Sequence, residues 1–447
     1  PTPAPAAPAA DPAAVCPQCG MVGCTMDHSA DHGDGDAAGG SGDGEVCPQC
    51  GMIDCNMDHF DTPDGGKVMV MGGLPRWLFL AGVVALILLS FVATEWLAPA
   101  ARRGWRFNLI ANRRVYSVMR SRWLQPTAQL TSAALLVALV AAGLFGSRIA
   151  NITPVAVWTI WWGGLIFAVL LLGSAFCFAC PWDGLANVIS RLRLAARVEP
   201  LSLGLRFPPW LANLYPAISL FVVLTWLELG YGVTTDPRWT AYMGMGMAAM
   251  AVTAALLWDG KRFCAHSCPV GRICGIYSNF SPIELRARKP KACAVCTTED
   301  CLNGNDKGYP CPTGLSLKTL GDATHCTLCT ECIKSCNKNN VAINLRPFGA
   351  DLASGRTIRT DEAWLALMLL GLTLFHGLSM TPQWESFAPG SESVLKWLQL
   401  SFGLPRVVAF TAAMGAAVAL PIALYLLSCR AAAALSGGRA GTMELFR

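Results

Sequence analysis

The sequence predicts an all-α polytopic membrane protein with a small cysteine-rich α+β domain and an irregular N-terminal tail. Three observations support this fold class. Of the 447 residues, 53% are hydrophobic and only 14% are charged, whereas soluble domains carry about 25% charged residues. Several apolar runs are long enough to cross a bilayer, and the 20 cysteines are clustered. We predict four regions: a tail (1–73), a first helical region (74–258), a cysteine-rich domain (259–362) and a second helical region (363–447).

The tail is rich in Pro, Ala, Gly and Asp, so it cannot bury a core of its own. It contains a motif, Cys-x2-Cys-x4-Cys-x3-His, that recurs 31 residues later. Three thiols and one imidazole suit a closed tetrahedral zinc site, whereas the two methionines in each copy favour copper(I). Zinc is the first expectation, copper or iron the second, and disulfides would leave one cysteine unpaired. The predicted ligands are Cys16, Cys19, Cys24, His28, Cys47, Cys50, Cys55 and His59.

Apolar runs of about 20 residues can cross a hydrocarbon core that is ~30 Å thick. Seven such runs predict about seven transmembrane helices. They are residues 75–97, 128–147, 155–176, 209–230, 239–258, 363–381 and 406–428.

Arginine in the loops predicts the orientation of these helices. The loop 99–127 has seven arginines and no acidic residue, and the loop 177–208 has four arginines. If both loops are cytoplasmic, the tail is outside, and the cysteine-rich domain and the C-terminus are inside. We therefore expect a multi-pass protein of the bacterial inner membrane with a periplasmic tail. The net charge of +5 comes from these loops and does not indicate nucleic-acid binding.

The cysteine-rich domain has two runs of four cysteines, which is the number that two [4Fe–4S] clusters require. In two-cluster ferredoxins the fourth cysteine of each run ligates the other cluster. This rule predicts a ferredoxin-like domain with two ligand sets. The second run has the usual spacing except that Asn337 replaces a proline, whereas the first run is longer than usual. Structural zinc and disulfides are the alternatives. The predicted ligands are Cys293, Cys296, Cys301 and Cys336 for the first cluster and Cys311, Cys326, Cys329 and Cys332 for the second.

Two more cysteine pairs follow the third and fifth predicted helices, and each pair ends in Cys-Pro. Both helices run in the same direction, so both pairs arrive at the cytoplasmic face. The proline is expected to end the helix and turn the chain away. The four thiols form either a third metal centre or two redox-active pairs, and packing is the third alternative. These residues are Cys177, Cys180, Cys264 and Cys268, while Cys274 and Cys429 are interpreted as structural.

The paired Cys-Pro motifs, followed by the two-cluster domain, resemble the NosR/NapH-type membrane polyferredoxins over roughly residues 75–430. Cys264-x3-Cys268-Pro269 matches the family motif, whereas Cys177-x2-Cys180-Pro181 is one residue shorter. The resemblance implies an inner-membrane protein that links the quinol pool to extracytoplasmic reductases or to their maturation. Some relatives carry a periplasmic flavin domain, and here the tail stands in that position. A copper-reducing branch is the second resemblance.

The predicted spans contain few ionisable groups. No Cys-x2-Cys-His is present, which excludes c-type haem, and His376 is the single histidine in a span, which excludes a bis-histidine haem within the chain. Glu228 and His376, near the outer ends of their helices, are candidates for a quinol site, although the sequence favours a helix-end glutamate at the headgroups and a histidine bonded inside the bundle. Trp158, Trp161 and Trp162 are expected to be interfacial or packing residues.

These features predict a membrane-bound iron–sulfur electron-transfer protein that links the quinone pool and the clusters to an extracytoplasmic redox partner. It would be a subunit of an oxidoreductase complex rather than a stand-alone enzyme, because no catalytic triad or phosphate loop is present. The alternative is a copper reductase or a metal-delivery factor for a metalloenzyme. A third alternative is an assembly scaffold with structural clusters.

Overall fold

The computed structural model describes residues 57–61, 67–71, 76–147, 151–191, 201–354, 358–381, 384, 393–436 and 441–446. Most of these residues are helical, with a few short strands. The chain divides into two compact units. The first comprises Pro1–Ser90 with Glu385–Ser393, and the second comprises Phe91–Trp384 with Val394–Arg447.

The elements are numbered in chain order. The strands are β1 (Met57–Asp61), β2 (Lys67–Met71), β3 (Phe107–Asn108), β4 (Ile283–Ala287) and β5 (Val341–Leu345). The α-helices, long and short, are α1 (Arg76–Arg103), α2 (Arg113–Met119), α3 (Leu124–Phe145), α4 (Ile152–Pro154), α5 (Trp162–Leu172), α6 (Ala175–Phe178), α7 (Pro181–Arg191), α8 (Tyr215–Gly230), α9 (Pro237–Leu257), α10 (Pro269–Ser278), α11 (Pro290–Ala294), α12 (Asp300–Asn303), α13 (Glu331–Ser335), α14 (Thr360–Ser379), α15 (Val394–Phe402), α16 (Arg406–Leu435) and α17 (Thr442–Phe446). Two π-helices, Val155–Trp161 and Phe263–Ser267, precede α5 and α10, and two short 3-10 turns span Pro209–Leu211 and Leu352–Ser354.

Within the described residues, five helices are long and apolar enough to cross a membrane: Leu124–Phe145, Ile152–Leu172, Pro237–Leu257, Thr360–Ser379 and Arg406–Leu435. They correspond to five of the seven predicted spans. Their surfaces carry many exposed Leu, Ile, Phe and Trp side chains, which a lipid environment accommodates and water does not. The molecule is therefore a helical membrane protein.

The other two predicted spans contain shorter apolar helices, Leu80–Val92 and Tyr215–Gly230. Helix α8 begins only at Tyr215 because Pro208 and Pro209 lead into a 3-10 turn that ends at Leu211. Its 16 residues rise about 24 Å, which is less than the ~30 Å of a hydrocarbon core. Five spans are thus supported by length and composition, and seven spans stay a prediction.

Small residues allow the helices of the second unit to approach closely. Helix α3 packs against α7 and α9, and α14 packs against α16. A Cβ atom at Gly184 of α7 would lie 2.8 Å from the backbone oxygen of Gln129 in α3. A Cβ atom at Gly371 of α14 would lie 2.9 Å from the backbone oxygen of Val418 in α16. Glycine is therefore required at both helix crossings.

The cysteine-rich region is built around a three-stranded antiparallel sheet with the order β3-β5-β4. Its apolar core contains Ile110, Leu285, Leu317, Ile333 and Val341, and several cysteines pack against this core. Strand β3 belongs to the arginine-rich loop 99–127, outside the predicted domain 259–362. The loop and the domain therefore form one folded body.

Three predicted cytoplasmic segments lie at one end of the bundle. The first two are the arginine-rich loop and the cysteine-rich region, which share the sheet. His325 of this region contacts Glu362 at the start of α14, with 3.1 Å between Nε2 and Oε1. Helix α17 lies at the same end, because the Phe446 ring is 5.2 Å from that of Trp364. This common location agrees with the arginine pattern, while the orientation across the membrane stays a prediction.

In the first unit, β1 and β2 pair in antiparallel fashion with His59 opposite Met69. His59 is the last predicted ligand of the tail. The other tail ligands, from Cys16 to Cys55, lie outside the described residues.

Arg346 is the centre of a buried ion-pair network beneath the sheet. Its Nη1 lies 3.0 Å from Oε2 of Glu284 and also bonds Oδ1 of Asp351, and all three side chains are buried. Burial alone would raise the pKa of Glu284, but Arg286, Asn344 and Arg346 together hold it below its usual value. Glu284 therefore stabilises the fold above the ordinary pKa of glutamate, and this contribution is lost as the pH falls through the lower pKa of the folded state.

Replacement of Arg346 by methionine should destabilise this region by about 3 kcal/mol, because two buried carboxylates lose their fully buried partner and keep only Arg286 and Arg106. The matched control is Lys318→Gln, which breaks a half-exposed pair with Glu299 at 3.7 Å and should cost less than about 1 kcal/mol. The midpoint of denaturation, followed by circular dichroism, measures both effects. Equal midpoints for the two variants would contradict a stabilising role for the network.

Candidate functional site

Three cavities in the second unit are lined by cysteines. The first cysteine cavity is lined by Cys293, Cys296, Cys301 and Cys336. The second is lined by Cys311, Cys326, Cys329 and Cys332. The third is lined by Cys177, Cys180, Cys264 and Cys268, and Cys329 also reaches it. The structure thus groups the same cysteines that the sequence spacing grouped. Cys336, the last cysteine of the second run, lies with the first three cysteines of the first run, and Cys311, the last of the first run, lies with the first three of the second.

The extra residues of the first run form structure of their own. They form helix α12 and a turn in which the Asn305 N–H bonds the Gly308 oxygen at 3.0 Å. The Cys311 N–H then bonds the Leu302 oxygen at 3.0 Å, which returns the chain to the domain. Asn337, which replaces the usual proline, donates to the carboxylate of Asp300 at 2.6 Å. This bond ties the end of the second run to the first run.

The backbone of the two runs is bent around the cavities. The described residues include four non-glycine residues with positive φ, namely Glu299, Leu328, Thr330 and Asn339. Each lies between or next to the predicted cluster ligands. The left-handed conformation costs a non-glycine residue of order 1 kcal/mol or more, and such residues concentrate at functional sites. Here it turns consecutive thiols towards a common point.

Each cavity also has an N–H group that donates to sulfur. The Asn340 backbone and side-chain N–H groups donate to Cys336 and Cys293 at 3.4 and 3.2 Å. The Leu315 N–H donates to Cys311 at 3.2 Å, and the Gly271 N–H donates to Cys268 at 3.3 Å. Such bonds stabilise a thiolate and tune the reduction potential of a bound cluster.

The third cysteine cavity lies where the chain leaves the long helices. Cys177 lies on α6, just after α5, and Cys264 lies on the π-helix Phe263–Ser267 that follows α9. Cys180 and Cys268 each directly precede a proline that begins the next helix, α7 or α10. The expectation that these prolines end a helix was therefore incomplete. Proline fits the first turn of a helix because it needs no N–H donor there, so it holds the preceding cysteine at the cavity wall.

A buried polar network supports this cavity. The carboxylate of Asp183, in the first turn of α7, accepts hydrogen bonds from Gln129 at 2.7 Å and from Asn187 at 3.2 Å, and it pairs with Lys261. The backbone N–H of Lys261 donates to the Pro312 oxygen at 3.2 Å, next to Cys311. The network therefore connects the helical region with the cysteine-rich region.

The buried thiols are poor acids in the absence of a metal. Desolvation raises the pKa of Cys268 and of Cys329 to about 12 and that of Cys326 to about 11. A hydrogen bond to Cys274, followed by burial, raises the pKa of Cys177 well above its usual value. Metal binding replaces these protons and supplies the positive charge that the buried sulfur needs. Cys274, which sequence analysis interpreted as structural, is thus a neighbour of the third cavity.

The described cysteines are not grouped around a single-ion position. Among the residues that the structure describes, no three His, Cys, Asp or Glu side chains are arranged around one metal ion. A tetrahedral zinc site with Zn–S bonds of 2.3 Å requires sulfurs about 3.8 Å apart. A cubane cluster takes one thiolate on each of four irons, so its ligands lie farther apart. Four cysteines around a common cavity are the donor set that such a cluster requires.

The cysteine cavities form a continuous series. The first and second share Leu317, and the second and third share Thr313, Thr327 and Cys329. Phe176 lines both the third cavity and a large apolar cavity among the long helices, which we call the membrane cavity. The sequence could not predict this series, because the spacing of cysteines along the chain does not show which sets of four cysteines are neighbours in the fold.

Glu228 and His376 come together although 147 residues separate them. Nε2 of His376 lies 3.6 Å from Oε2 of Glu228, and Nδ1 lies 2.8 Å from the Leu372 oxygen. A carbonyl only accepts hydrogen bonds, so Nδ1 carries a proton. Glu228 also lines the membrane cavity, as do the three tryptophans predicted to be interfacial.

Two distant relatives were found. The chain is 26% identical over 239 residues to the putative electron transport protein YccM of Escherichia coli strain K12, a match that covers 48% of this chain and 64% of the relative. It is 23% identical over 184 residues to the uncharacterized protein MJ0749 of Methanocaldococcus jannaschii, a match that covers 40% of this chain and 68% of the relative. No protein-family model and no solved structure matches the chain. The similarity to YccM supports a general electron-transfer role, and the more specific polyferredoxin family stays a prediction.

In iron-free protein, Cys296 should be the first of the cysteines in the described residues to react with iodoacetamide. Hydrogen bonds from the Glu299 backbone and the Thr298 hydroxyl lower its pKa, whereas burial raises the pKa values of Cys268 and Cys329. Because the thiolate is the nucleophile, alkylation near neutral pH should follow this order. Mass spectrometry of timed samples measures the individual rates.

The variant Thr298→Val should slow the alkylation of Cys296 by about threefold, since it removes one hydrogen bond to the thiolate. Thr297→Val is the matched control and should leave the rate unchanged. Uniform rates at all cysteines would show that the folded environment does not set these reactivities.

Proposed function

We propose that this protein is a membrane-bound iron–sulfur electron-transfer protein that exchanges electrons between the quinone pool and an extracytoplasmic redox partner. Cysteines of the first and second cavities hold one [4Fe–4S] cluster each. The four cysteines of the third cavity hold a third centre. The observation that carries this proposal is the sorting of twelve cysteines into three adjacent cavities, with four around the first, four around the second, and four more together with Cys329 around the third.

When bound, the clusters supply one-electron redox chemistry. The protein supplies everything else. Thiols from distant segments hold the clusters, N–H groups bond the sulfurs, and burial around the second and third cavities excludes water. The shared residue Cys329 keeps the second and third centres next to each other, and the pairing of Lys261 with Asp183 holds the helical region against the cluster loops.

The cellular arrangement belongs to the same proposal. The arginine-rich loops and the cluster region face the cytoplasm, the tail lies in the periplasm, and the chain resides in the bacterial inner membrane. The acidic tail carries two zinc sites and contacts the partner, and the protein acts as a subunit of a complex. The orientation is supported by the arginine pattern and by the common location of the loops and the cysteine-rich region at one end of the bundle.

Iron analysis and low-temperature EPR of the anaerobically purified protein test the clusters. We expect about twelve irons per chain and, after dithionite reduction, spin-coupled S = 1/2 signals. The double variant Cys264→Ser, Cys268→Ser should lose about four irons and retain the signals of the other two clusters. It removes half of the thiols of one centre and none of the others.

Cys429→Ser is the matched control, because Cys429 is a buried cysteine on α16 that lines none of the three cysteine cavities. This variant should retain all the iron. A wild-type protein with about eight irons would remove the third centre from the proposal, and a protein without iron would overturn the proposal entirely.

The composition of the tail favours a second candidate function. Each repeat combines three cysteines, one histidine and two methionines, and thioethers are ligands for copper(I). The protein would then reduce or deliver copper for a metalloenzyme.

Elemental analysis of the tail decides between the two functions. We expect about two zinc ions per chain, and the triple serine variant of Cys16, Cys19 and Cys24 should lose one of them. The second repeat, which is unchanged in this variant, is the internal control. Copper instead of zinc in the purified protein would favour the delivery function.

A further inference from the structure

The first cysteine cavity lies at one end of the series, because it shares Leu317 with the second cavity and no lining residue with the third. Its ligand loop reaches the surface: the side chain of Val295, directly before Cys296, is 74% exposed. Hydrogen bonds lower the pKa of Cys296, whereas burial raises the pKa values of Cys326 and Cys329 in the second cavity. A centre in the first cavity therefore lies closer to water than a centre in the second.

Exposed cations lie around the opening of this cavity. Lys338 lines it, and Lys291 lies on α11, two residues before Cys293. The chain at Lys289 is held in place, because its N–H donates to the Asn340 side chain at 2.8 Å and the Asn340 amide donates to the Cys293 sulfur at 3.2 Å. We define the basic rim as four exposed residues: Arg288, Lys289, Lys291 and Lys338.

Within the described part of the chain, no member of the basic rim forms an ion pair with a carboxylate. Two carboxylates line the cavity, and both have other partners. Glu299 lies 3.7 Å from Nζ of Lys318. Asp300 accepts a hydrogen bond from Asn337 at 2.6 Å. The rim therefore presents uncompensated positive charge to the solvent, and such a field attracts acidic partners.

An exposed apolar side chain beside a group of like charges suits a brief and specific contact between proteins. Val295 lies between Cys293 and Cys296, so a partner that covers Val295 comes next to two thiols of the first cavity. Redox encounters use small interfaces, below roughly 1,200 Å². Complementary charge increases the rate of such encounters and selects the partner more than it adds affinity.

We propose that the basic rim and Val295 form the docking surface for a small, acidic, soluble protein that carries one electron. One electron is exchanged between this carrier and the centre of the first cavity: the reduced member loses it, the oxidised member gains it, and no bond forms or breaks. The carrier is thus a second redox partner, at the opposite end of the series from the third cavity. The electron exchange rests on the proposed function, whereas the docking rests on charge and exposure alone.

The test uses the full-length protein in a zwitterionic detergent and an acidic plant-type [2Fe–2S] ferredoxin as the probe. Biolayer interferometry measures binding, and stopped-flow absorbance measures the oxidation of reduced ferredoxin that has been freed of excess dithionite. We expect saturable binding whose dissociation constant rises about tenfold between roughly 50 and roughly 200 mM salt, because salt screens exposed charges. Cytochrome c, a basic carrier, should show no saturable binding.

Charge-reversal variants locate the binding surface. Lys291→Glu and Lys338→Glu each reverse one charge of the rim and should weaken ferredoxin binding by about fivefold. Arg206→Glu is the matched control, because it makes the same change in net charge at an exposed residue that lines none of the three cysteine cavities. This control should bind ferredoxin like the wild type. Iron content and EPR, measured on every variant, show whether the clusters are intact.

Equal weakening in Arg206→Glu and in the two rim variants would overturn the proposal, because the attraction would then depend on net charge alone. Absence of saturable ferredoxin binding, or binding without electron exchange, would overturn it as well. Each of these results with a full complement of iron contradicts the docking surface and leaves the proposed function standing. Rim-dependent binding to a protein without iron contradicts the proposed function and retains the surface.

Discussion

The structure of the second unit depends on one constraint: thiols from distant parts of the chain must converge in groups of four inside a buried environment. Burial raises the pKa of Cys268, Cys326 and Cys329, so the second and third groups require either their protons or a positively charged centre. The surrounding features serve this convergence. They include left-handed residues within the cysteine runs, N–H groups that donate to sulfur, and prolines that begin a helix directly after a cysteine.

The same constraint joins the membrane helices to the cysteine-rich region. The third cysteine cavity takes its thiols from segments after α5 and α9, and its wall includes Pro312, Thr313 and Cys329 of the cluster loops. Asp183 and Lys261 connect the two parts, and β3 adds a strand from an arginine-rich loop to the sheet. The helical region and the cysteine-rich region are consequently a single body, and a perturbation at either side of this contact is expected to reach both.

The membrane cavity extends this arrangement into the bilayer. The cavity is lined mostly by apolar side chains, has Glu228 in its wall, and shares Phe176 with the third cysteine cavity. A cavity large enough for a ligand thus lies among the long helices.

The sequence by itself determined the class of the protein and grouped the cysteines into sets of four, because composition, apolar run length and cysteine spacing are local properties of the chain. It predicted five helices that the structure also has, and it grouped Cys311 and Cys336 with the opposite runs. Only the tertiary structure decided which sets are neighbours, that Cys274 contacts Cys177, and that Glu228 faces His376. It also revealed the membrane cavity among the long helices. These features depend on how helices cross and which side chains then meet, and such contacts between distant residues leave no periodicity or spacing in the chain.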